Sequence, residues 1–461
     1  MRRLVPIALA LLLISPLAAT AESRVPATEA EVKLSFAPVV RAAAPAVVNI
    51  YATWIVERRA SPFANDPFFS QFFEGFGQGV PRMQNSLGSG VIVDESGIVV
   101  SNYHVVQEAT DIRVVLADRR EYDGEVLLSD RDTDIAVIRL KGASDLPALD
   151  IADSEAAEVG DLVLAIGNPF GVGQTVSSGI ISATARVAAV DRGQAGYFLQ
   201  TDAPINPGNS GGALVDMNGD LVGLNTSILT RSGGSNGIGF AIPSNLVARY
   251  VEQALDGRDS FSRPWAGASV QPVDSGLAEA LELDRPRGVL VTELHPQSPL
   301  AAAGIRAGDV ILSAGGLPVN GNEEFEYRLL TLGFGSDVVV SVLRDGSLEE
   351  ITVAVPEAPD DSAGPVQIGG RSPLAGLTVA EVTPRLIEAL DLPLSATGVI
   401  VVRTGGYASR LGLRPGDVLR GLNGQGIDTL ETLERIINDG GRIWDLEIGR
   451  GNRTLRLRVR D

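Results

Sequence analysis

The feature that most constrains the fold of this chain is a long internal repeat in its second half. The stretch GVLVTELHPQSPLAAAGIRAGDVILSAGG begins at Gly288, and GVIVVRTGGYASRLGLRPGDVLRGLNG begins at Gly398. Three positions recur at an offset of 108 residues: Gly304, Gly308 and Asp309 correspond to Gly412, Gly416 and Asp417. Solenoid repeats recur every 20 to 50 residues or so, roughly half this spacing or less. The pattern therefore predicts two copies of a whole domain.

The first half of the chain is a series of short apolar runs separated by turns. Examples are AVVNIYATWIV, GSGVIVDESGIVVSN, DIAVIRL and LVLAIGN, and Asn218-Gly219 between two such runs predicts a hairpin. The run SNLVARYVEQAL then has helical periodicity, with Ser244 as its expected N-cap. This pattern predicts an all-β domain that is closed by one helix.

These patterns divide the chain into five parts. Residues 1–21 form a targeting segment, 30–256 a β-rich domain that contains an aromatic loop at 54–86, and 257–357 the first repeat. Residues 358–371, with the sequence APDDSAGPVQIGGR, form a linker, and 372–461 form the second repeat. We therefore expect three folded domains in a mostly β chain.

The N-terminus has the pattern of a secretory signal peptide. Arg2 and Arg3 precede an apolar stretch, and Ala19-Thr20-Ala21 supplies a small-x-small cleavage site after Ala21. The apolar stretch is shorter than the roughly 20 residues that a spanning helix needs, which disfavours an uncleaved anchor. We therefore expect an exported protein that needs no membrane.

Composition excludes several classes of function. The chain has no cysteine, so neither disulfides nor thiolate chemistry contribute, and its net charge of −19 argues against nucleic-acid binding. The segment DMNGD at 216–220 starts like a calcium loop, but Leu221 replaces the required glycine and Ser227 the glutamate. With two histidines far apart in sequence, a zinc site is not expected either. We expect no metal and no cofactor.

The aromatic loop at 54–86 interrupts the strand pattern. It contains six of the thirteen phenylalanines: Phe63, Phe68, Phe69, Phe72, Phe73 and Phe76. Exposed apolar patches mark interaction sites, so we predict that this loop docks on another subunit. The alternative is that the rings pack on their own domain.

Three separated residues have the order and spacing of a serine protease triad. His104 ends the strand-like run GIVVSNYHVV, Asp134 follows about thirty residues later in SDRDTDIAVIRL, and Ser210 lies in DAPINPGNSGG. The order His, Asp, Ser is that of the chymotrypsin-like double β-barrel. A serine needs a base to take its proton, a carboxylate to orient that base, and donors for the oxyanion. Asp132 competes with Asp134 for the carboxylate role, and we favour Asp134 because it adjoins the buried run IAV.

The chain as a whole resembles the Do-like serine proteases of the HtrA group, of DegP and DegQ type. The matching stretches are GSGVIVDESGIVVSNYHVV, TDIAVIRL, AIGNPFGVGQTVSSGIISA, QTDAPINPGNSGGALVDMNGDLVGLNT and GIGFAIPSNLV. The resemblance implies a chymotrypsin-like double β-barrel protease domain followed by two α/β PDZ domains. It also implies activation by ordering of the loops around NPFGVGQ, DRGQAG and TRSGGSNG.

The resemblance assigns roles to individual residues. It implies His104 as general base, Asp134 as its orienting carboxylate and Ser210 as nucleophile. The turn Gly208, Asn209, Ser210 forms the oxyanion hole, with the amides of Gly208 and Ser210 as donors. Ile205, Ile228 and Leu229 match the specificity pocket, which implies cleavage after small or β-branched apolar residues.

The two repeats resemble PDZ domains, which add a peptide strand to a sheet edge and hold its C-terminal carboxylate. In the second repeat Leu374, Ala375, Gly376 and Leu377 match the carboxylate-binding loop well. In the first repeat the loop Trp265, Ala266, Gly267 and Ala268 is less regular, which leaves its peptide preference open. The alternative for either repeat is a spacer domain that binds no peptide.

The resemblance therefore implies an ATP-independent periplasmic serine endoprotease that degrades unfolded or damaged envelope proteins. One alternative is a holding chaperone in which peptide binding dominates over hydrolysis. Another is a sensor that cuts one regulatory target, which the two PDZ repeats and the signal cleavage site disfavour. The resemblance implies a homotrimer with possible larger assemblies.

Overall fold

The structure is a computed structural model of the chain. It describes residues 35–55, 83–107, 109–168, 173–190, 194–206, 208–228, 237–360, 364–370, 372–390, 392–441, 443–451 and 453–460. The expected signal peptide, the six phenylalanines of the aromatic loop and Leu229 lie outside the described residues. In the described part, no helix is long and apolar enough to cross a membrane.

The first six strands close a barrel in the order β1-β2-β3-β6-β5-β4. The elements of this region are α1 (Ala37–Ala43), a 3-10 turn (Ala44–Ala46), β1 (Val47–Ile55), β2 (Met83–Asp94), β3 (Ile98–Ser101), α2 (Tyr103–Val106), β4 (Asp111–Val115), β5 (Glu121–Asp130) and β6 (Ile135–Leu140). The four residues of β3 are all buried, and so are five of the six in β6. Buried aliphatic side chains of these central strands fill the barrel.

The next six strands close a second barrel in the order β10-β11-β12-β9-β8-β7. Its elements are a 3-10 turn (Ser154–Ala156), β7 (Leu162–Gly167), β8 (Thr175–Val190), β9 (Gln194–Thr201), β10 (Ala213–Val215), β11 (Leu221–Ile228), β12 (Gly239–Pro243) and the closing helix α3 (Ser244–Leu255). The predicted hairpin at Asn218-Gly219 joins β10 to β11. Asp216 Oδ1 accepts hydrogen bonds from the amides of Asn218, Gly219 and Asp220 in that turn.

Helix α3 packs on the first barrel through part of its predicted apolar face. Leu246, Val247 and Tyr250 are buried, whereas Leu255 at the end of the helix is exposed. The prediction of Ser244 as N-cap is wrong, because Pro243 is the capping residue and Ser244 is the first helical residue. The Ser244 hydroxyl donates instead to the carbonyl of Ala152, which ties the helix to the chain between the barrels.

The two repeats form sheets with the same central strand order. The first runs β13-β14-β15-β17-β18, with β16 on β15, and the second runs β19-β20-β21-β22-β24-β25, with β23 on β22. The first repeat comprises β13 (Ala268–Pro272), α4 (Ser275–Ala280), β14 (Val289–Leu294), α5 (Pro299–Ala302), β15 (Val310–Ala314), β16 (Leu317–Pro318), α6 (Asn322–Leu332), β17 (Asp337–Arg344) and β18 (Ser347–Ala354). The second comprises β19 (Val366–Gln367), β20 (Thr378–Glu381), α7 (Pro384–Ala389), β21 (Val399–Arg403), a 3-10 turn (Ala408–Leu411), β22 (Val418–Leu422), β23 (Gln425–Gly426), α8 (Leu430–Asp439), β24 (Ile443–Arg450) and β25 (Arg453–Arg460). The extra strand β19 has no counterpart in the first sheet.

The repeated Gly and Asp positions build the same ion-paired turn in both repeats. Asp309 binds Arg344 through two hydrogen bonds of 2.9 and 2.6 Å, and Asp417 binds Arg450 through two of 2.6 and 2.7 Å. In each case the arginine also donates to the carbonyl of the first repeated glycine, Gly304 or Gly412. The offset of 108 residues therefore marks a structural turn that is common to both domains.

The first repeat is anchored on the second barrel by helix α6. The rings of Tyr197 in β9 and Tyr327 in α6 stack with centroids 4.0 Å apart. Arg328 places Nη1 2.6 Å from Glu155 Oε1 and lies beside both tyrosine rings. Burial raises the pKa of Tyr197 to about 12, so this ring stays neutral in the interface.

Candidate active site

Ser210 lies in the tight turn between β9 and β10. Gly208 and Gly211 flank it with φ values of 98° and 79°, in the left-handed region that favours glycine. A Cβ at Gly211 would overlap the Ser89 carbonyl oxygen and lie 2.5 Å from Ser101 Oγ. Glycine is therefore needed at position 211 both for its backbone conformation and for close packing on the first barrel.

Ser89 holds the serine turn from the first barrel. Its amide donates to the Ser210 carbonyl at 3.0 Å, and its hydroxyl donates to the Gly208 carbonyl at 2.6 Å. The same hydroxyl accepts the amide of Asn168 at 2.9 Å. Ser89 was not among the residues predicted from the sequence, although a fully buried polar side chain requires partners of this kind.

His104 and Asp134 are in direct contact, because they lie just after β3 and just before its neighbouring strand β6. His104 Nδ1 lies 2.9 Å from Asp134 Oδ1 and 2.8 Å from Oδ2, and the His104 amide donates to Oδ1 at 3.0 Å. This contact places the ring proton on Nδ1 and leaves Nε2 as the proton acceptor. The imidazole is therefore oriented and held in the tautomer that a general base needs.

Asp134 reaches His104 from an unusual backbone conformation. Its φ is 58°, which costs an L residue about 1–2 kcal/mol, and such strain persists only where surrounding contacts hold it. The Asp134 carbonyl accepts hydrogen bonds from the amide of Tyr103 at 3.1 Å and from Asn102 Nδ2 at 3.0 Å. The neighbouring Asp130 is engaged elsewhere, with the hydroxyl of Tyr250 and the guanidinium of Arg263.

Thr226 joins the carboxylate to the serine. Its hydroxyl donates to Asp134 Oδ2 at 2.8 Å, and its carbonyl accepts the Ser210 hydroxyl at 2.9 Å. Thr226 is buried in β11. Thr226 was not predicted from the sequence, since nothing in GLNTS indicates a functional residue until β11 is placed beside both Asp134 and Ser210. Thr226 thus contacts both Asp134 and Ser210, and Asp134 in turn contacts His104.

The peptide groups of the serine turn point in different directions. The Asn209 amide donates to the Asn206 carbonyl at 2.9 Å, and Asn209 Oδ1 accepts the Thr175 hydroxyl at 3.1 Å. The amides of Gly208 and Ser210 donate to no residue in the described part of the chain. Of the predicted oxyanion turn, Asn209 is therefore a buried structural residue, while two amides are available to a ligand.

The predicted specificity pocket is described only in part. Ile205 is buried in the core of the second barrel, with Gly239 so close that a Cβ there would lie 2.8 Å from Ile205 Cδ1. Ile228 is the last residue of β11, and the description covers its backbone but not its side chain. The pocket therefore stays a prediction from the sequence.

The loop of the first repeat presents free amides beside an apolar cavity. Gly267 has a φ of 58°, and its carbonyl accepts the His295 amide at 2.8 Å. Within the described residues, the amides of Ala266 and Gly267 donate to no acceptor. The adjoining cavity is lined by Trp265, Ala266, Leu300, Phe325 and Leu329, among other apolar side chains. Ala268 begins β13, the end strand of its sheet.

The loop of the second repeat has no such free amides at its centre. The amides of Ala375, Gly376 and Leu377 donate to the carbonyls of Ser372, Ile368 and Leu374 at distances of 2.9–3.0 Å. Leu374 and Leu377 are fully buried. The loop that matches the peptide-binding pattern better in sequence is therefore the one whose amides are already occupied.

Comparison with known families agrees with this architecture. Residues 88–224 match the trypsin-like peptidase domain, and residues 264–355 match the PDZ domain. Two closed six-stranded barrels followed by PDZ domains define a serine endopeptidase of the chymotrypsin fold class, as the sequence predicted. No group of three or more His, Cys, Asp or Glu side chains suited to a metal ion occurs among the described residues.

Similarity along the whole chain identifies the family. The chain is 37% identical to the periplasmic serine endoprotease DegP of Escherichia coli (strain K12), over 97% of this chain and 96% of that protein. It is 38% identical to a probable DegP-like periplasmic endoprotease of Halomonas elongata, over 88% of both chains. The structure of the HtrA-type protease AlgW with a tripeptide matches with a TM-score of 0.53 and 38% identity, covering 71% of this chain and 98% of that one. The protein belongs to the DegP-type HtrA serine proteases.

Proposed function

We propose that the protein cleaves unfolded polypeptides in the periplasm by an acyl-enzyme mechanism, without ATP. Ser210 is the nucleophile, His104 the general base and Asp134 the carboxylate that orients it. The observation that carries this proposal is the contact of His104 Nδ1 with both oxygens of Asp134, at 2.9 and 2.8 Å. Thr226 in addition forms hydrogen bonds with both Asp134 and Ser210. With the Nδ1 proton directed at the carboxylate, the ring would use Nε2 to accept the proton of Ser210.

Attack requires one rearrangement at the nucleophile. The Ser210 hydroxyl donates to the Thr226 carbonyl, so rotation about its side-chain bond must redirect the proton to His104 Nε2. The proton then moves to His104 as Oγ bonds to the substrate carbonyl carbon, and it is later given to the leaving amine. The Asp134 carboxylate stabilises the imidazolium and is itself held by a hydrogen bond from the Thr226 hydroxyl.

The amides of Gly208 and Ser210 form the oxyanion hole of this proposal. Both are free of acceptors among the described residues, and the Gly208 carbonyl is fixed by Ser89. Donors fixed before the reaction need no reorganisation when charge develops, and each contributes about 3–4 kcal/mol to lowering the barrier. Ile205, Ile228 and Leu229 would set a preference for small or β-branched apolar residues before the scissile bond.

The first PDZ domain is the proposed peptide-docking module. Its loop has free amides at Ala266 and Gly267 beside an apolar cavity, and β13 forms one end of its sheet. A peptide added to β13 would place a terminal carboxylate on these amides and its last side chain in the cavity. The domain would thereby hold C-terminal peptides of unfolded clients near the protease.

The test compares the parent with Ser210→Ala after export, using unfolded casein and an aggregating client. We expect the parent to digest casein without ATP and Ser210→Ala to lose cleavage while keeping its fold. The holding-chaperone alternative holds instead if the parent cuts casein no faster than background and Ser210→Ala still suppresses aggregation equally well. N-terminal sequencing of the exported protein checks cleavage after Ala21.

We further propose that the protein assembles as a homotrimer through the protease domain, with the aromatic loop reaching a neighbouring subunit or trimer. Deletion of residues 63–76 is then expected to change the mass distribution in light scattering. An unchanged distribution together with unchanged activity would contradict this part of the proposal and leave the protease assignment intact.

A further inference from the structure

The linker before the second PDZ domain is bound in that domain's own groove. Residues Val366 and Gln367 form β19, which pairs antiparallel with β20: Val366 lies opposite Val379 and Gln367 opposite Thr378. Strand addition to a sheet edge is one of the common ways in which proteins bind peptides. The edge of β20 is therefore already covered by the chain itself.

Ile368 continues this strand into the loop of the domain. Its amide donates to the Leu377 carbonyl at 2.8 Å, and its carbonyl accepts the Gly376 amide at 2.9 Å. Ile368 is only 8% exposed, and it packs in the cluster that contains Leu374 of the loop and Leu433 of α8. Ile368 thus fills the place of a bound peptide's anchoring residue.

Side-chain alternation along the segment follows the same pattern. Gln367 is exposed, whereas Ile368 on the opposite face is buried, as expected for a strand laid between a sheet edge and a helix. The chain then leaves through Gly369 and Gly370, and Gly370 has a φ of 79°. A glycine in that conformation lets an internal segment turn away where a terminal carboxylate would otherwise end the peptide.

The loop is arranged for a neutral carbonyl. Of the loop amides, only that of Gly376 donates to the Ile368 carbonyl. The amides of Ala375 and Leu377 donate to the carbonyls of Ser372 and Leu374 within the loop. A terminal carboxylate is usually held by several backbone amides together. The donors present therefore suit an internal peptide bond.

The first PDZ domain shows why the two grooves differ. The segment before it is drawn onto α3: the ring of Phe261 stacks on Tyr250 at 3.7 Å, and Ser262 exchanges two hydrogen bonds with Gln253. The linker of the first domain is thus held on helix α3 of the protease domain, and among the described residues no strand pairs with the outer edge of β13.

We propose that the groove between β20 and α8 is a binding site for an internal apolar peptide segment, filled in cis by residues 366–368, and that it does not select a C-terminal carboxylate. This inference is independent of the proposed proteolysis. All measurements use the full chain in a Ser210→Ala background, so that no probe is cleaved.

The first measurement is hydrogen exchange at the linker and the loop. Ile368→Glu places a charge in the apolar site, and we expect the amides of residues 368 and 376 to exchange at least about thirtyfold faster, because an anchor of this size is lost. Gln367→Glu adds the same charge to the exposed face of the same segment and should change these rates less than about twofold. Equal rates in the parent and in Ile368→Glu would overturn the proposal, and so would equal opening by Gln367→Glu.

The second measurement uses two fluorescent peptides, GPVQIGG with an amidated end and GPVQI with a free carboxylate. We expect the amidated peptide to bind Ile368→Glu at least about tenfold more tightly than the parent, and at least as tightly as the peptide with the free carboxylate. Tighter binding of the carboxylate peptide by about tenfold or more would show a C-terminal site instead. If Ile368→Glu unfolds the domain, seen as fast exchange throughout β22 and β24, Ile368→Ala replaces it, and unchanged exchange in that variant refutes the proposal.

Discussion

Replacing Tyr250 by phenylalanine tests how Asp134, the proposed catalytic carboxylate, is held in place. The Thr133 hydroxyl donates to Tyr250 Oη at 2.6 Å, and Tyr250 Oη donates to Asp130 Oδ2 at 2.5 Å. Arg263 Nη2 donates to the same carboxylate oxygen at 2.9 Å. Burial raises the pKa of Tyr250 well above its ordinary value, so the phenol remains a donor across the working pH range. This chain of contacts ends on the residue next to Asp134.

The expected magnitude follows from the bonds removed. Tyr250→Phe keeps the ring stacked on Phe261 but deletes a hydrogen bond to a charged group, which contributes about 1.5–3 kcal/mol. We expect the free energy of unfolding to fall by about 2 kcal/mol. Because Asp134 is held at a φ of 58°, a loosened Thr133 lets the turn relax, and we expect kcat to fall roughly tenfold. KM should change less than about twofold, since the substrate groove is untouched.

The assay is steady-state cleavage of a short amidated peptide over a range of pH, beside urea unfolding. Movement of Asp134 away from His104 should also lower the pKa of the imidazole, because the imidazolium loses a stabilising anion. The acid limb of the kcat/KM profile should therefore move to lower pH. Arg249→Met is the matched control: Arg249 lies on the same helix and donates to the Thr331 carbonyl, away from the turn. A variant that loses stability but keeps the kcat and the pH profile of the parent refutes the reasoning.

Three further predictions concern the site and the second PDZ domain. Thr226→Val should lower kcat about tenfold in the same peptide assay, because the carboxylate loses a hydrogen bond of the charged type, and an unchanged kcat would contradict this. Burial raises the pKa of Glu388 to about 7 against the opposing charge of Arg263, so its contribution to stability is full below about pH 4.5 and is lost as the pH rises through 7. In urea unfolding, the stability of Glu388→Gln relative to the parent should therefore be greater at pH 8 than at pH 5, by at most about 3 kcal/mol. An equal pH dependence of stability in both proteins would contradict this. Asp417→Asn should destabilise the domain by about 2 kcal/mol in thermal unfolding, because its partly buried ion pair with Arg450 is broken. Asp445→Asn, whose carboxylate pairs with Arg458 at the surface, should leave the melting temperature nearly unchanged, and an equal loss in both variants would contradict this.

Much of the fold was predictable because local patterns and tertiary structure agree. The short apolar runs with turns between them correspond to the twelve strands of the two barrels. The repeat at an offset of 108 residues corresponds to two sheets with matching ion-paired turns. The N-cap prediction at Ser244 failed because a tertiary acceptor, the Ala152 carbonyl, takes its hydroxyl. Local propensity at a helix end is a weak preference that a buried partner can override.

The site was predictable only where residue type itself signals chemistry. His104, Asp134 and Ser210 stand out because histidine is rare here and the serine lies among glycines. Ser89 and Thr226 carry no such signal, since serine and threonine are common in strands. Their importance comes from pairs far apart in sequence, Ser89 with the Gly208 carbonyl and Thr226 with Asp134, which only the closed barrels bring together.

The two PDZ loops show why a motif match does not predict an available site. A carboxylate-binding loop is read from the residues that shape it, yet its ligands are backbone amides, which every residue supplies. Whether those amides are free depends on the preceding linker. The Ile368 carbonyl of the second linker accepts the Gly376 amide of the second loop, whereas the linker around Phe261 is held on α3 and leaves the first loop open. The irregular Trp265 loop is therefore the better candidate for peptide capture, because of the course of the chain before it.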